Sequence, residues 1–408
     1  IERLRLALPP EDNARAPDLW RALVEIADRA KPAAGSLDRA ALVEQLQSEF
    51  RLGPLRPVQP DLERIRAVSE RALADIRADL GGVRLTRSAL AEDLDSKLTE
   101  ARVVEVVGEA GSGKSTLLKA LAQPLLDEGP VLFLSVRRLP TGAPGWEGLA
   151  AHWHLTTPLP ALLVELATVT TPCLFIDGIE RLEDPGAWLA VNDLLRGIRQ
   201  APSAARWRVV LSARANALRY RLQLDLDDWD RGMARVIVGD LDADEVAEIG
   251  AAHPTLVPLI APGGRAAALA ARPYLLDRLI RLGTAGLIGD GPISEIDLMI
   301  EMWKGSLGAA PLVEAEILAR QDALLALGRQ RLAAPARPLT SVGIEREALL
   351  GLVRDDLLRH DSATRTPAFA HDILEDWTLC QALHHDGRPL AEIVESLGQP
   401  LWLLDAVA

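Results

Sequence analysis

The folding of this 408-residue chain is limited above all by a glycine-rich octapeptide, GEAGSGKS, at Gly108–Ser115. The octapeptide follows the β-branched run Val103–Val107 and precedes an apolar helical pattern over Lys114–Leu121. A glycine turn between a buried strand and a helix points backbone N–H groups and a helix N-terminus at a phosphate. We therefore expect a phosphate-binding loop (P-loop) at the end of a strand in an α/β sheet.

The octapeptide also assigns chemistry to individual residues. Its glycines let the backbone turn inward around phosphate oxygens. The Lys114 ammonium is expected to neutralise the β- and γ-phosphates of a nucleotide, and the Ser115 hydroxyl to ligate Mg²⁺. The alternative is a glycine-rich turn that arose by chance, which is rare for a full match in a chain with only five lysines. The predicted nucleotide-binding residues of this segment are Gly108, Glu109, Ala110, Gly111, Ser112, Gly113, Lys114, Ser115 and Thr116.

Between residues 101 and 240, short apolar runs alternate with helical patterns. Their length and apolarity suit strands buried on both faces of a parallel sheet, and the intervening helices suit right-handed crossovers. We predict that this segment is a P-loop nucleotide-binding domain of the α/β class. The predicted strands are Val103–Val107, Val131–Leu134, Leu174–Ile176, Arg208–Leu211 and Arg235–Val238.

Two acidic residues follow the third of these runs. Asp177 comes directly after the run. A carboxylate at the tip of a strand beside a P-loop can hold Mg²⁺ through its coordination shell. Glu180 comes three residues later and is a candidate general base for an attacking water. We predict catalytic roles for Asp177, Glu180 and Lys114, with Ser115 and Asp177 as the Mg²⁺ residues. The alternatives are an aspartate that caps a helix and a solvated glutamate.

Ser212 and Arg214 come shortly after the fourth run, and the strand would deliver them to the same sheet edge. An arginine at that edge can bind a γ-phosphate with bidentate hydrogen bonds. The alternative for Arg214 is a surface arginine in a loop.

Helical patterns flank the nucleotide-binding domain. On one side, Leu19, Leu23 and Ile26 share a helical face within an N-terminal helical region at 1–80, and an arm at 81–100 follows. On the other side, Asp242 and Asp244 are candidate caps of a helix in a helical segment at 241–290. Residues 291–385 combine helices with a predicted hairpin, Leu357–His360 and Pro367–His371, and 386–408 begin a further helical region.

Composition narrows the function classes. Acidic residues outnumber basic ones 58 to 45, so the net charge is −13, which disfavours nucleic acid as a partner. Two cysteines, Cys173 and Cys380, are too few for a disulfide scaffold and fit a reducing cytoplasm. No segment reads as transmembrane or as a signal peptide, so no membrane partner is expected. Because the chain begins with Ile1, we expect a fragment of a longer protein.

The ordered set of motifs resembles the STAND class of AAA+-related NTPases, which includes NACHT and NB-ARC proteins. Arg235–Glu245 resembles the strand leading into the helical lid of that class, and Ala271–Leu276 resembles the proline motif of the lid. Phe369–Trp377 resembles the winged-helix motif, and Gly82–Arg87 resembles the arm that lines the base pocket. The resemblance implies an α/β P-loop NTPase with a parallel sheet, a helical lid, a winged-helix domain and an N-terminal helical region.

The resemblance also implies ligands and residue roles. ATP or ADP with Mg²⁺ would be the cofactors, Pro273 would pack near the adenine, and His371 would reach the β-phosphate of ADP. A packed hairpin histidine and a helix-start proline are the alternatives. NACHT proteins usually carry acids three and four positions after the Mg²⁺ aspartate, but Arg181 stands at the fourth, so slow ATP hydrolysis is expected.

The function that the resemblance implies is a molecular switch. ADP would hold a closed state, and exchange for ATP would open the chain and promote self-oligomerisation. A protein trigger and a separate effector are expected partners, and a bacterial anti-phage or signalling sensor is the expected setting. The alternatives are an AAA+ motor or DNA-loading ATPase and, less favoured by the order of motifs, a metabolic P-loop kinase.

Overall fold

The structure is a computed structural model. It describes residues 7–8, 10–31, 39–52, 58–85, 87–140, 142–169, 172–182, 184–201, 206–215, 224, 233–284, 293–305, 307, 312–335, 337–360 and 366–396. Parts of all the predicted segments lie outside these residues, including residue 86 of the arm, several stretches of 101–240 and residues 397–408 of the predicted last region. The chain divides into two compact units. Their ranges are Ile1–Arg77, Arg87–Val107 and Ser115–Val236 for the first, and Ala78–Thr86, Gly108–Lys114 and Ile237–Ala408 for the second.

Four helices precede the sheet of the first unit within the described residues: α1 (Ala16–Ala30), α2 (Arg39–Leu46), α3 (Gln59–Ala74) and α4 (Ser88–Glu100). Helix α1 buries Leu19 and Ile26, in agreement with the predicted face, and packs them with Leu46 and Phe50 into a small core. Helix α4 takes up most of the segment predicted as the arm. The sequence pattern did not indicate a helix there, because only Leu94 of α4 is buried.

The sheet of the first unit confirms the predicted strands to within two residues. Its elements in chain order are β1 (Val103–Val107), α5 (Lys114–Glu128), β2 (Leu132–Ser135), α6 (Gly145–His152), α7 (Leu159–Val169), β3 (Cys173–Asp177), α8 (Pro185–Gln200), β4 (Arg208–Ala213) and β5 (Met233–Ile237). The strand order is β2-β3-β4-β1-β5, and the β2–β3, β3–β4 and β4–β1 pairs are parallel. The P-loop follows β1, which lies inside the sheet.

Burial explains why the strands read as continuous apolar runs. Every residue of β1 is buried, and so are the first four of β3, because helices cover both faces of a parallel sheet. Glu105 of β1 is the polar exception, and its carboxylate accepts a hydrogen bond of 2.8 Å from Arg235 of β5. A buried carboxylate needs such a partner, because an unpaired buried charge destabilises the folded protein by on the order of several kcal/mol.

Helix α3 belongs to the same unit and is fastened to the sheet by polar side chains. The Ser69 hydroxyl accepts from the Phe133 N–H of β2 at 3.1 Å and donates to the Val131 carbonyl. Asp61, in the first turn of α3, accepts hydrogen bonds from the backbone N–H and hydroxyl groups of both Thr156 and Thr157.

In the second unit, helices α9 (Ala243–Ala252), α10 (Val257–Ile260), α11 (Ala267–Ala270) and α12 (Pro273–Thr284) form the segment predicted as the lid. Asp242 caps α9 as predicted and forms a capping box with Glu245, whereas Asp244 lies in the first turn. Residues Leu80–Val83 of the arm turn back on themselves beside α12, where the Gly81 N–H donates to Asp277 at 3.3 Å.

The rest of the second unit contains α13 (Glu295–Lys304), α14 (Glu314–Ala333), α15 (Arg346–Arg354), β6 (Leu358–His360), β7 (Pro367–Phe369), α16 (Asp372–His384) and α17 (Leu390–Ser396). Strands β6 and β7 form the predicted hairpin and pair antiparallel, with Leu358 opposite Phe369, and helix α16 begins after them at Asp372. The winged-helix assignment of this segment stays a prediction. In the described part of the chain, no helix has both the length and the apolarity needed to cross a bilayer.

Candidate functional site

The P-loop backbone can be built only with glycine at its turning points. Gly111 and Gly113 have φ angles of +78° and +98°, in the region that L side chains rarely adopt. At Gly108, an added Cβ would lie 2.4 Å from the backbone oxygen of Val238. The glycines of the octapeptide are therefore required by the geometry of this turn.

The Lys114 side chain lies inside this turn and bonds to its backbone. Its side chain is buried, and the ammonium donates hydrogen bonds to the carbonyl oxygens of Gly108 at 2.9 Å and Glu109 at 2.8 Å. A buried ammonium and glycine N–H groups at a helix N-terminus are a donor set for phosphate oxygens. The residues of the loop thus fit the phosphates of a nucleotide.

The start of helix α12 contacts the P-loop within the second unit. The Tyr274 N–H donates to the Gly111 carbonyl at 3.2 Å, and the Arg272 guanidinium donates to the Ala110 carbonyl at 3.2 Å. Arg272 also forms an ion pair with Glu295. Pro273 is the first residue of α12, so the predicted lid proline is a helix-start proline that adjoins the phosphate-binding loop.

His371 reaches the same loop from the end of the hairpin. Its ring stacks on that of Tyr274 with the centroids 3.9 Å apart, and a Cβ added at Gly111 would lie 3.5 Å from its Cε1 atom. His371 also caps helix α16, since its Nδ1 atom accepts the Ile373 N–H at 3.2 Å. The structure therefore brings His371 and the residue after Pro273 together at the P-loop.

Tyr274 was missed by the sequence analysis, although it stands inside the quoted proline motif. Burial raises the pKa of its phenol, an effect that the nearby Arg278 opposes. The Arg278 guanidinium lies 5.1 Å from the ring centroid, at cation–π distance. An aromatic residue directly after a helix-start proline was the signal available for finding it.

In the first unit, Asp177 accepts two hydroxyl hydrogen bonds. Ser115, the last residue of the octapeptide, donates to Oδ1 at 2.9 Å, and Ser212 of β4 donates to the same oxygen at 2.7 Å. Within the described residues, no helix N-terminal N–H group donates to this carboxylate, which argues against the helix-capping interpretation of Asp177. A carboxylate beside a serine hydroxyl is the hard oxygen pair that Mg²⁺ prefers, with waters and phosphates as the other ligands.

The protein itself offers few ligands for such an ion. Among the described residues, no group of three or more His, Cys, Asp and Glu side chains is placed to hold an ion. A Mg²⁺ ion held by Ser115 and Asp177 would depend on the nucleotide for part of its coordination.

Glu180 and Arg214 form an ion pair in the first unit. The Arg214 Nε atom lies 3.8 Å from Glu180 Oε1, and the two side chains are 12% and 10% exposed. Glu180 lies after Gly178 in a single 3-10 turn, Ile179–Arg181. Because its side chain is only 10% exposed, it is not the solvated glutamate of the alternative interpretation. Both side chains are nearly buried and oppositely charged, which holds each in place.

Thr116, the remaining predicted residue, is engaged by its side chain elsewhere. Its hydroxyl donates to the Arg77 carbonyl at 3.1 Å, and Lys119 one turn later donates to the Ile76 carbonyl at 2.6 Å. A role for Thr116 in binding phosphate therefore rests on its backbone N–H.

A family model matches part of the chain that contains this site. Residues 102–250 match the NACHT domain family, a span that runs from β1 to α9. A search of curated proteins gave no match.

Three similar solved structures come from archaea. A Walker-type ATPase of Pyrococcus abyssi has 16% identity and a TM-score of 0.38, with 75% of this chain and 99% of that chain covered. A STAND protein with a tetratricopeptide repeat sensor from Pyrococcus horikoshii has 14% identity and a TM-score of 0.41, with 78% and 48% covered. The Aeropyrum pernix ORC2 protein, in ADPNP–ADP complexes, has 15% identity and a TM-score of 0.36, with 77% and 94% covered. At these TM-scores the likenesses support no functional inference.

The family match covers the P-loop, Asp177, Glu180 and Arg214 in one continuous span. The chain therefore has the α/β fold of a P-loop NTPase, and its residues 102–250 match the NACHT domain family.

Proposed function

We propose that the chain is a nucleotide-dependent molecular switch that is closed with ADP and opens when ATP replaces it. The observation that carries this proposal lies in the second unit, where the Gly111 carbonyl of the P-loop accepts the Tyr274 N–H at the start of α12, and the ring of Tyr274 stacks on that of His371 at the end of the hairpin. A nucleotide on this loop would be in reach of both elements. Its phosphates would therefore influence whether the elements stay together.

His371 is oriented for this role by its capping bond. Because Nδ1 accepts the Ile373 N–H, the ring proton of the neutral imidazole is on Nε2. Nε2–H can then donate to a β-phosphate oxygen of ADP, alongside the ammonium of Lys114. A ligand shifts a conformational equilibrium only by its differential affinity for the two states, and the contact with His371 would provide that difference.

Hydrolysis would return the open state to the closed one. Mg²⁺, when bound at Ser115 and Asp177, supplies positive charge next to the β- and γ-phosphates. Glu180 would accept a proton from the attacking water, and Arg214 would bind the γ-phosphate. Both roles require the ion pair between Glu180 and Arg214 to loosen, which agrees with slow hydrolysis.

The setting of the switch rests on the family resemblance. STAND-class proteins act as sensors that respond to a trigger and pass the signal to an effector, and we propose a bacterial immune or signalling sensor that works in the cytoplasm. Self-oligomerisation in the ATP state, a protein trigger and a separate effector belong to this proposal.

The first test is to denature the purified protein and identify the nucleotide that it releases. We expect about one ADP per chain on a monomer. A protein that carries no nucleotide and turns over added ATP steadily would contradict the switch. It would favour the motor or DNA-loading ATPase, and DNA binding would then be measured.

A further inference from the structure

Among the described residues, Ser212 contacts the Asp177 carboxylate but has no role in the motifs or in the proposed function. Ser212 lies near the end of β4 and is 1% exposed. The parallel register that pairs Ile176 with Leu211 brings the next residues, Asp177 and Ser212, side by side at the carboxyl ends of β3 and β4. A polar side chain so completely buried needs a partner, and here the partner is the carboxylate.

The hydrogen bonds of Ser212 fix the direction of its proton. Its hydroxyl donates to Asp177 Oδ1 at 2.7 Å and accepts the Gly178 N–H at 2.8 Å. A hydroxyl carries a single proton, so Ser212 has none to offer to a phosphate or a water in this arrangement. Gly178 has a φ angle of +78°, the turn that aims its N–H at the hydroxyl.

The same bonds leave one side of the carboxylate available. Ser115 and Ser212 both donate to Oδ1, and within the described residues no side chain or backbone group donates to Oδ2. Ser115 is itself a predicted Mg²⁺ ligand, so its hydroxyl cannot be the permanent anchor of the carboxylate. Ser212 is buried behind the site and can keep its bond to Asp177 in every nucleotide state.

We propose that Ser212 is a positioning residue that orients the Asp177 carboxylate for Mg²⁺. This inference rests on the proposed nucleotide site, whose Mg²⁺ residues are Ser115 and Asp177. Removing an outer hydrogen-bond partner of a metal ligand typically lowers metal affinity by about 10- to 100-fold. The expected effect of Ser212 is therefore on Mg²⁺, and not on the nucleotide alone.

The experiment measures binding of a fluorescent, non-hydrolysable ATP analogue to the full chain, with EDTA and then across a Mg²⁺ titration. For Ser212→Ala we expect analogue binding in EDTA to stay within about twofold of the parent, because the P-loop is unchanged. The Mg²⁺ concentration at half effect should rise about 10- to 100-fold. Ser212→Thr keeps the hydroxyl and should restore the parental value.

Ser135→Ala is the matched control, because Ser135 lies opposite Asp177 on β2 but its hydroxyl is not one of the donors to that carboxylate. We expect a parental Mg²⁺ titration. If Ser212→Ala does not fold, Ser212→Cys replaces it, since a thiol is a weak donor of similar size.

Two results would overturn the assignment. One is a Mg²⁺ titration of Ser212→Ala that matches the parent, and the other is an equal loss of binding in EDTA and in Mg²⁺, which would make the hydroxyl merely structural. If the parent chain binds no analogue, the proposed nucleotide site itself has failed, and that outcome is visible before any variant is made.

Discussion

At the residue scale, functional residues could be predicted from the sequence where their chemistry depends on neighbouring residues. They could not be predicted where it depends on contacts between distant segments. The P-loop could be predicted because its turn needs glycines at fixed spacing, and Gly111 and Gly113 do have positive φ angles. The stacking of Tyr274 on His371 could not be predicted, since these residues are brought together only by the packing of α12 against the hairpin end. For Ser212 the strand position was predicted, but its bond to Asp177 depends on the register of two strands.

Lys114→Ala should abolish the retention of nucleotide through purification. The substitution removes the only ammonium that the described P-loop residues place inside the turn, and hydrogen bonds to charged groups contribute roughly 1.5 to 3 kcal/mol each. We expect ADP affinity to fall by about 100-fold or more, measured by isothermal titration calorimetry.

Lys304→Ala is the control for Lys114→Ala, because Lys304 is an exposed helix lysine paired with Glu301. It should bind ADP like the parent. Unchanged ADP binding by Lys114→Ala would contradict the P-loop assignment.

His371→Asn should accelerate ADP release. Asparagine is a good N-cap and keeps an acceptor for the Ile373 N–H, so helix α16 should remain intact. The variant loses the Nε2–H donor, and we expect release to become about tenfold faster, as for the loss of about 1.4 kcal/mol, measured by stopped-flow displacement.

His384→Asn, at the exposed C-terminal end of the same helix, is the matched control and should release ADP at the parental rate. If His371→Asn also releases ADP at that rate, His371 does not hold the nucleotide.

At the element scale, strands were easier to predict than the attachment of helices. Each buried strand is a short continuous apolar run, which parallel pairing requires. Helix α3 lies in the helical region predicted at 1–80, but its attachment to the sheet depends on the polar residues Ser69 and Asp61. Polar contacts of this kind leave no periodic pattern in a sequence.

Asp61→Asn should lower the free energy of unfolding by about 2 kcal/mol near neutral pH. Burial opposes the ionisation of Asp61, yet the hydrogen bonds from Thr157, Thr156 and Arg64 outweigh burial and lower its pKa from 3.8 to about 2. A carboxyl group whose pKa is lowered on folding stabilises the folded state above its unfolded pKa. That stabilisation is lost as the pH falls from about 4 towards 2.

The measurement is urea unfolding of parent and variant at several pH values, and the difference should shrink as the pH falls through that window. Asp18→Asn is the matched control, because Asp18 is also a first-turn helix aspartate but forms an exposed ion pair with Arg21. It should change stability little at any pH. A difference between Asp61→Asn and parent that does not vary with pH would contradict the linkage.

At the scale of the whole molecule, the match to the NACHT family covers residues 102–250. The order of the motifs in the sequence indicated this resemblance, because each motif has a chemical role. The division into compact units was not predictable from composition. The P-loop residues Gly108–Lys114 group with the second unit, whereas Asp177, Glu180 and Arg214 belong to the first.

Glu180→Gln should separate ATP binding from ATP hydrolysis. Glutamine keeps the shape of the side chain but cannot accept a proton from water, and general bases typically contribute about 10²- to 10⁴-fold to a rate. We expect ATP affinity near that of the parent, hydrolysis slower by about that factor, and a larger oligomer that persists with ATP in mass photometry.

Glu301→Gln, an exposed substitution on α13, should behave like the parent in the same measurements. If Glu180→Gln hydrolyses ATP at the parental rate, Glu180 is not the base. If it stays monomeric with ATP bound, ATP binding does not drive assembly.

The polar fastening of α3 has a consequence for how copies of this chain can associate. Strand β2 is at one end of the sheet, and there the Phe133 N–H is already taken by Ser69. At the other end, the Arg235 carbonyl of β5 accepts a hydrogen bond of 2.7 Å from Lys97 of α4. A neighbouring chain could add a strand to either end only by displacing these side chains. These side-chain bonds therefore disfavour association by continuation of the β-sheet at either edge, so the oligomer proposed above is expected to form through helices and loops.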